Sequence, residues 1–393
     1  MIGLPDKDMC TGCTACVNVC PKHCLEMRTD KYGFSFPEIV VKTNCIACGA
    51  CEKVCPILLT RDYKGGETTA YAALTINEVH RMDSSSGGIF TELAENVLKE
   101  GGSVFGASYD ANGTVKHIGI DETCDLSKLR GAKYSQSVLG ECFQSVKYHL
   151  NLGKKVLFSG TPCQVAGLKT FLKTDYVNLI CIDCVCHGVP SPMVWGKYVQ
   201  FRAQLDAKSE LPVHINLRNK ESGWSHFSYS VEFNYLDGKR YICKNSEDLF
   251  MRLFVGDYIS RESCANCHFK GYDRVSDITL GDFWGIWDIC PKMDDNKGTS
   301  LVLTHTNKGE RLLQDITDKI KTQEVSLEQA SQMNPSLLKS SQHKLNREFV
   351  LNSIAENGFQ AVRALTLFNS CSKRSIIGKA KRCMQKIFGI KNK

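Results

Sequence analysis

The sequence predicts a small α+β domain at its N-terminus followed by a larger mixed α/β domain. Two tandem cysteine runs with identical spacing define the first domain, and alternating strand and helix patterns indicate the second. At 393 residues the chain is long enough for two or three domains with substantial cores. We place the first domain at residues 1–60, the second at 70–335, and a helical extension at 336–393.

Both cysteine runs have the form Cys-x2-Cys-x2-Cys-x3-Cys-Pro. The first begins at Cys10 and the second at Cys45. In bacterial ferredoxins with this spacing, three cysteines of one run and the fourth of the other bind each 4Fe–4S cluster. The pattern therefore predicts a ferredoxin-like domain with two clusters, the first on Cys10, Cys13, Cys16 and Cys55 and the second on Cys20, Cys45, Cys48 and Cys51.

Zinc and disulfides are the alternatives for these eight cysteines. Structural zinc sites use two or four cysteines in pairs, which does not fit two identical four-cysteine runs. Disulfides require an oxidising compartment, and residues 1–9 contain no apolar leader that would indicate export. We therefore expect metal-bound thiolates in a cytoplasmic protein. Cys24 is expected to pack as a buried thiol and not to bind metal.

The positive charge of the chain is concentrated at its C-terminus. The net charge is +7, but residues 372–393 carry eight Lys or Arg and no acid, so the remainder is close to neutral. A nucleic-acid-binding domain usually has a basic face on its folded part, so we expect no nucleic-acid partner. Apolar residues recur at helical spacing in this tail, which favours a basic amphipathic helix on an anionic membrane surface. A frayed or packed terminus is the alternative.

Strand and helix patterns after residue 70 predict the mixed α/β core. An amphipathic helix is predicted at Ile89–Leu98, because its apolar residues share one face. A hairpin is predicted over residues 227–243, since Asp237 and Gly238 form a two-residue turn between alternating segments. Further strands are predicted at Tyr71–Leu74, Val104–Tyr109, Lys155–Ser159, Asn178–Asp183 and within Ser276–Gly285.

A serine- and glycine-rich segment directly precedes the predicted helix. It consists of Ser84, Ser85, Ser86, Gly87 and Gly88. Serine hydroxyls cap helix starts, and glycines let a ligand approach free backbone N–H groups, so the segment is suited to a phosphate or pyrophosphate. A plain N-cap is the alternative. No G-x-G-x-x-G follows a strand, which disfavours a nicotinamide site of the Rossmann type.

A second polar motif, residues 130–137, places two cations and an aromatic ring close together. Arg130, Lys133, Tyr134 and Gln136 could contact a flavin, with Lys133 near its electron-rich edge and Tyr134 against the ring. The alternative is an exposed polar loop, because charged loops are common on protein surfaces.

A further set of cysteines occurs in the α/β domain, next to Gly, Pro and His. Cys163, Cys186, Cys264 and Cys267 each lie in a turn-like context and could converge on a third metal centre, whereas Cys181 lies within a strand and is expected to pack. Scattered buried thiols are the alternative.

Three polar residues near these cysteines are further candidates for the site. His187 could donate a proton or could be an ordinary core histidine. Asp277 is expected to pair with Arg274, and Asp282 to face the site.

In these motifs the chain resembles the coenzyme F-420 hydrogenase/dehydrogenase beta-subunit family. The matching segments run from about residue 5 to 305 in the family's order: the doubled cysteine run, SSSGG at 84–88, RGAKYSQS at 130–137, GTPCQ at 160–164, CHGVPSP at 186–192, and CANCHFK with SDITLGDFWG at 264–285. Ala132 is a mild departure, since serine is commoner there, and the last ninety or so residues match poorly.

The resemblance implies an iron–sulfur flavoprotein with a mixed α/β flavin-binding catalytic domain. The segments at 84–88 and 130–137 become flavin contacts, with FAD favoured over FMN, and Cys163, Cys186, Cys264 and Cys267 become ligands of a third cluster. Lys133 and His187 are the predicted catalytic residues. A flavin is the expected junction because clusters carry single electrons, whereas deazaflavins and nicotinamides accept hydride.

Two functions follow from these expectations. The first is an oxidoreductase that moves electrons between a redox partner protein or ferredoxin and a small hydride acceptor such as coenzyme F-420, serving polysaccharide assembly at a membrane surface. The second is a non-catalytic relay subunit that feeds a partner enzyme.

Overall fold

The computed structural model describes residues 3–59, 67–207, 210–225 and 228–363. The strands of this part, β1 to β13 in chain order, are Leu25–Thr29, Ser35–Ile39, Thr69–Thr75, Ser103–Tyr109, Val115–Ile120, Val156–Gly160, Leu179–Cys184, His214–Asn219, Ser230–Asn234, Arg240–Lys244, Ile278–Asp282, Ser300–Thr304 and Ile320–Val325. The α-helices, α1 to α12, are Ala15–Asn18, Glu78–Asp83, Ile89–Lys99, Cys142–Asn151, Pro162–Leu172, Pro192–Asp206, Leu249–Val255, Ile286–Ile289, Asn307–Gln314, Leu327–Ser331, Pro335–Leu338 and Arg347–Asn357. The predicted amphipathic tail at 372–393 lies outside the described residues.

An eight-stranded mixed sheet organises the larger domain, so the predicted α/β class is confirmed. The strand order is β13-β3-β12-β11-β7-β6-β4-β5. Strands β11, β7, β6 and β4 are parallel neighbours, and β3 runs the same way because β12 is antiparallel to both β3 and β11. Their carboxyl ends therefore meet at one edge of the sheet, which is where ligands bind in open α/β folds.

Helices cover both faces of this sheet. On one face α3 buries Ile89, Leu93 and Val97 against strand residues such as Leu157. On the other face α4 and α5 bury Phe143 and Leu168 among a second set of apolar side chains. Complete burial of a large apolar side chain contributes about 1.5–3 kcal/mol each, so these two layers hold the sheet rigid beneath its loops.

A smaller antiparallel sheet and an aromatic cluster lie beside the main sheet. Strands β8, β9 and β10 pair in the order β10-β9-β8, and the predicted hairpin is confirmed by the pairing of Arg240 with Asn234. Trp195, Phe233 and Phe250 pack together here with residues from α12.

The expected pairing of Asp277 with Arg274 is wrong. Arg274 forms its ion pair with the buried Asp183 at 3.3 Å. Asp277 lies just before β11, where its carboxylate accepts hydrogen bonds from the Cys181 backbone N–H at 2.7 Å and from the Thr306 hydroxyl at 2.7 Å. Asp277 thus connects neighbouring strands through hydrogen bonds.

Within the described residues, none of the helices has the length and apolar character needed to cross a membrane.

The N-terminal module packs on the α4/α5 face of the main sheet. Its own sheet is the antiparallel pair β1-β2, and Ala15, Val54 and Cys13 belong to the same buried cluster as the residues of α4 and α5. The Thr170 hydroxyl on α5 donates to the Val54 carbonyl at 2.7 Å. Gly167 allows a close approach on this face, because a Cβ at this position would lie 2.8 Å from Cys13 Cβ and 2.9 Å from its Sγ.

We predict that Gly167→Ala weakens this docking. Overpacking at such distances costs about 1–3 kcal/mol, which offsets the gain of up to ~1 kcal/mol from better helix propensity. Gly196→Ala on α6 is the matched control, since a Cβ there meets no atom within 4 Å. The Gly167 variant should have the lower thermal midpoint when both are measured anaerobically, and equal midpoints would show that the contact is loose.

Candidate electron-transfer site

The structure brings Cys10, Cys13, Cys16 and Cys55 to the wall of one cavity in the N-terminal module. Each of them is only 8% exposed. This is the quartet predicted for the first cluster, with its fourth member supplied by the second cysteine run. The cavity is lined on its other sides by apolar residues such as Leu4 and Met27.

Burial governs the ionisation of these thiols. Desolvation raises the pKa of Cys13 to about 12, and the neighbouring Cys10 and Cys55 act in the same direction. Desolvation likewise raises the pKa values of Cys16 and Cys55. Without metal the thiols stay protonated, whereas metal coordination deprotonates a thiol outright. A cationic iron cluster therefore fits this otherwise unfavourable group of buried sulfurs.

The second predicted quartet lies closer to the surface. Cys20 and Cys45 are half-buried and Cys48 is exposed, whereas Cys51 is buried. Electrostatic contacts link Cys20 with Cys51 and bring both Cys20 and Cys45 near Cys24. The backbone N–H of Cys24 donates to Cys20 Sγ at 3.3 Å. Hydrogen bonds to cluster sulfurs are one of the factors that set reduction potential, so the Cys24 backbone is placed to tune this site.

Cys163, Cys186, Cys264 and Cys267 line a second cavity, in the larger domain. Cys163 lies in the first turn of α5, Cys186 follows β7 at the carboxyl edge of the sheet, and Cys264 ends a short 3-10 turn. The four thiols interact electrostatically with one another. They are one group, and not the scattered thiols of the alternative interpretation.

The Cys186 thiol differs from its neighbours in ionisation. Contact with the Cys184 thiol lowers the pKa of Cys186, and the charges of Lys270 and His187 lower it further. Cys184 belongs to the same cysteine-rich segment of the sequence but was not among the four predicted ligands. It is exposed at the end of β7, and the Cys-x-Cys spacing with Cys186 was the available signal.

These groups are cavities lined by cysteines and not point-like ion sites. Among the residues with described positions, no three His, Cys, Asp or Glu side chains converge closely enough to hold a single metal ion. A four-iron cluster spreads its four thiolates around a cube, so its ligands surround a cavity without meeting at one point. Four cysteines line each of the two cavities, as such a cluster needs.

The two cysteine-lined cavities adjoin. Thr11, which follows the first ligand cysteine, lines both of them. Cys13 contacts α5 at Gly167, one helical turn from Cys163. The first and third quartets are thus close neighbours, with Thr11 lining both of their cavities.

The segment Ser84–Gly88 lies at the carboxyl edge of the main sheet. Gly87 N–H donates to Ser300 Oγ at 2.9 Å, and Ser86 Oγ donates to the Thr299 carbonyl at 3.0 Å. Gly88, at a φ of +87°, begins α3 without any side-chain cap, and Ser85 Oγ is buried without a hydrogen-bond partner. The serines therefore do not act as a plain N-cap.

The loop 130–137 is half-buried at the same edge, so the alternative of an exposed loop is wrong. Lys133 Nζ donates to the carbonyls of Arg130 and Gly131, and burial lowers the pKa of Lys133 to about 7. Tyr134 packs on Phe254 with ring centroids 4.7 Å apart, and Arg130 Nε is buried without a hydrogen-bond partner.

The structure adds basic and aromatic residues that sequence reasoning missed. Lys220 Nζ donates to the Ser86 carbonyl at 2.7 Å, and burial lowers the pKa of Lys220 to about 7. Arg218 pairs with Asp282 and lies over Trp284 at 5.3 Å. Asp282 therefore faces this edge as expected. The segment Leu217–Lys220 carries no motif that would have indicated its role, because long-range folding brings it to the serine–glycine segment.

Gln136 and His187 connect the two regions. Gln136 Nε2 donates to the Thr11 carbonyl at 3.3 Å, so this predicted flavin contact reaches toward the cysteine cavities. His187 lines the third quartet's cavity. Its Nε2 lies 2.9 Å from Asp257 Oδ1, and its ring packs edge-on against Phe254.

Two segments of the chain match known protein families. Residues 9–58 match the family of 4Fe–4S dicluster domains. Residues 153–329 match the family described as the C terminus of the coenzyme F420 hydrogenase/dehydrogenase beta subunit. A chain of the F420-reducing [NiFe] hydrogenase complex from Methanosarcina barkeri aligns with 75% of this chain and 95% of its own length, at 16% identity and a TM-score of 0.49. No curated protein matches the sequence.

The domains and the cysteine-lined cavities define an iron–sulfur electron-transfer protein of the oxidoreductase kind. More particularly, the chain joins a segment that matches the 4Fe–4S dicluster family to a segment that matches the C terminus of the coenzyme F420 hydrogenase/dehydrogenase beta subunit. The resemblance seen in the sequence motifs is confirmed.

We predict that Cys163→Ala lowers the iron content of anaerobically purified protein by about four atoms per chain, because Cys163 is a predicted ligand of a third four-iron cluster. Cys181→Ala is the matched control: Cys181 is fully buried in β7, and its loss should leave the iron content unchanged. If the Cys163 variant kept all its iron, Cys163 would not be a ligand.

Proposed function

We propose that the protein is a flavin- and iron–sulfur-dependent oxidoreductase, which moves electrons between ferredoxin-type clusters and a small hydride-accepting substrate such as coenzyme F-420. The observation that supports this proposal most strongly is that the cysteine-lined cavities adjoin the loop 130–137. The first and third quartets share Thr11, and Gln136 on that loop donates to the Thr11 carbonyl.

The fit of a flavin rests on unsatisfied polar atoms at the carboxyl edge of the sheet. Ser85 Oγ, Arg130 Nε and Arg218 Nε are buried without partners. Native proteins leave few such atoms, so they favour a ligand that supplies the missing hydrogen bonds. A bound flavin exchanges single electrons with clusters and hydride with a substrate.

The residues of this edge have distinct tasks in the proposal. Gly87 and Gly88 immediately precede α3, whose N-terminal dipole would attract a phosphate of FAD. Lys133 supplies a positive charge or a transferable proton beside the flavin ring, and Tyr134 packs against its plane. His187, which contacts Asp257 and Phe254, lines the cavity of the third quartet.

Electrons enter through the second quartet in this proposal. Cys48 is exposed, and the apolar residues Ile46 and Leu58 are 60% and 43% exposed in the same domain. This surface is the docking site we assign to a ferredoxin or another redox partner protein. The basic tail at 372–393 gives a second contact, with an anionic membrane surface, and places the protein at the cytoplasmic side in a pathway such as polysaccharide assembly.

Turnover by the isolated chain tests the proposal. Anaerobic protein supplied with FAD and a chemical reductant should reduce a deazaflavin acceptor. The reduction is measured as the loss of the acceptor's absorbance. Protein with intact clusters but no flavin binding and no turnover would instead favour the non-catalytic relay subunit.

We predict that flavin affinity depends on Lys133 and on pH. In the free protein the pKa of Lys133 is about 7 because of burial. If an anionic ligand binds the protonated amine, affinity falls as the pH rises through 7, since binding must then take up a proton. Lys133→Met should bind FAD about tenfold more weakly at pH 6 and should lose this pH dependence.

Lys128→Met serves as the control for this titration, because Lys128 is exposed and pairs only with Asp125 on the described surface. The control should bind as the wild type does across the pH range. The same pH profile in the Lys133 variant and the wild type would exclude Lys133 from the flavin site.

A further inference from the structure

Arg261 is a buried cation at the point where three segments of the proposed electron route meet. The residue is 1% exposed. Its Nε donates to the Cys10 carbonyl at 2.8 Å, one terminal nitrogen donates to Gln136 Oε1 at 2.8 Å, and the other donates to the Ser35 carbonyl at 3.0 Å. These contacts join both parts of the N-terminal module to the loop 130–137.

Arg261 also belongs to the third quartet's surroundings. It lines the cavity of that quartet and lies three residues before Cys264. The thiols of Cys10, Cys163 and Cys264 all interact electrostatically with its guanidinium. The single side chain therefore faces ligand candidates of two different clusters.

Within the part of the chain that the structure describes, the guanidinium has no carboxylate counter-ion. In the described ranges, no Asp or Glu oxygen lies within 4 Å of Arg261, and its neighbour Glu262 pairs with Arg347 instead. The other contacts are neutral carbonyls, an amide and the ring of Phe36 at 4.2 Å. Arginine stays charged when buried, and a buried charge is costly unless it is paired.

We propose that Arg261 is the shared counter-ion of the first and third iron–sulfur clusters and raises the reduction potentials of both. This inference rests on the proposed cluster assignments. Each one-electron reduction adds a negative charge to a cluster, and a nearby cation stabilises that reduced state. Cluster potential depends on net charge and on hydrogen bonding around the sulfurs, and Arg261 affects both. Among the described residues, the hydrogen bonds of Arg261 go to Cys10, Gln136 and Ser35 and to no cysteine of the second quartet, so the potential of the second cluster should depend on this residue much less.

Redox titration followed by electron paramagnetic resonance tests the inference on the anaerobic holoprotein. In Arg261→Gln the ratio of reduced to oxidised first and third cluster, at a fixed ambient potential, should fall about tenfold, which is 59 mV for a one-electron couple. The second cluster should titrate as in the wild type. The Cys163→Ala variant assigns the third cluster's signal.

Two further variants separate charge from structural support. Arg261→Lys keeps the charge and loses part of the hydrogen bonding, so it should restore most of the wild-type potentials. Gln136→Glu places a carboxylate against the guanidinium without removing it, so it should lower the same two potentials even if Arg261→Gln does not assemble its clusters. Arg202→Gln is the distant control, because Arg202 pairs with Asp206 in the aromatic cluster.

The inference is overturned if all three clusters assemble in these variants and the ratio of reduced to oxidised first and third cluster stays within twofold of the wild-type ratio. Equal shifts in Arg261→Gln and Arg261→Lys would also contradict it, since charge would then not be the cause. Absence of iron from the wild-type chain would instead remove the proposed function, and this inference with it.

Discussion

The burial of cysteine thiols against the face of an α/β sheet is the constraint on which the rest of this structure depends. A buried thiol is disfavoured as a thiolate, as the raised pKa values of Cys13 and Cys264 illustrate. Burying four thiolates together is energetically acceptable when a cationic cluster compensates for their lost hydration. The protein gathers two such groups next to each other, at opposite sides of Thr11.

The sheet topology explains why the groups meet there. Strands β3, β11, β7, β6 and β4 direct their carboxyl ends to one edge, so loops far apart in sequence converge on it. Cys186 follows β7, and the segment Ser84–Gly88 follows β3 and α2 at that edge. Helix α5 supplies both Cys163 and the small residue Gly167 that admits the N-terminal module. Fold and redox arrangement are thus consequences of one packing geometry.

Sequence reasoning succeeded where spacing alone determines geometry. The doubled run identified Cys10, Cys13, Cys16 and Cys55 as one group because ligand loops of that type are local and stereotyped. Short apolar runs bounded by turns predicted the positions of several strands of the main sheet, such as β4, β6 and β7. Reasoning failed for side chains whose neighbours are set by tertiary packing. Asp277 was assigned to the nearby Arg274, but backbone direction turns it toward Cys181.

The same limit applies to Arg218, Lys220 and Arg261. No local pattern marks them, because their importance arises from long-range contacts: Lys220 reaches a carbonyl at residue 86, and Arg261 reaches one at residue 10. A basic residue in a sequence is ordinarily solvated, so the burial of these three could be recognised only in the folded chain.

The most direct test of the account is to measure iron, acid-labile sulfide and flavin on one anaerobically purified sample of the full chain. Three cysteine quartets and one flavin site predict about twelve iron and twelve sulfide with one flavin per chain, since each cluster contains four of each. About eight iron and no flavin would contradict the account, leaving a two-cluster module joined to a domain without a redox centre of its own.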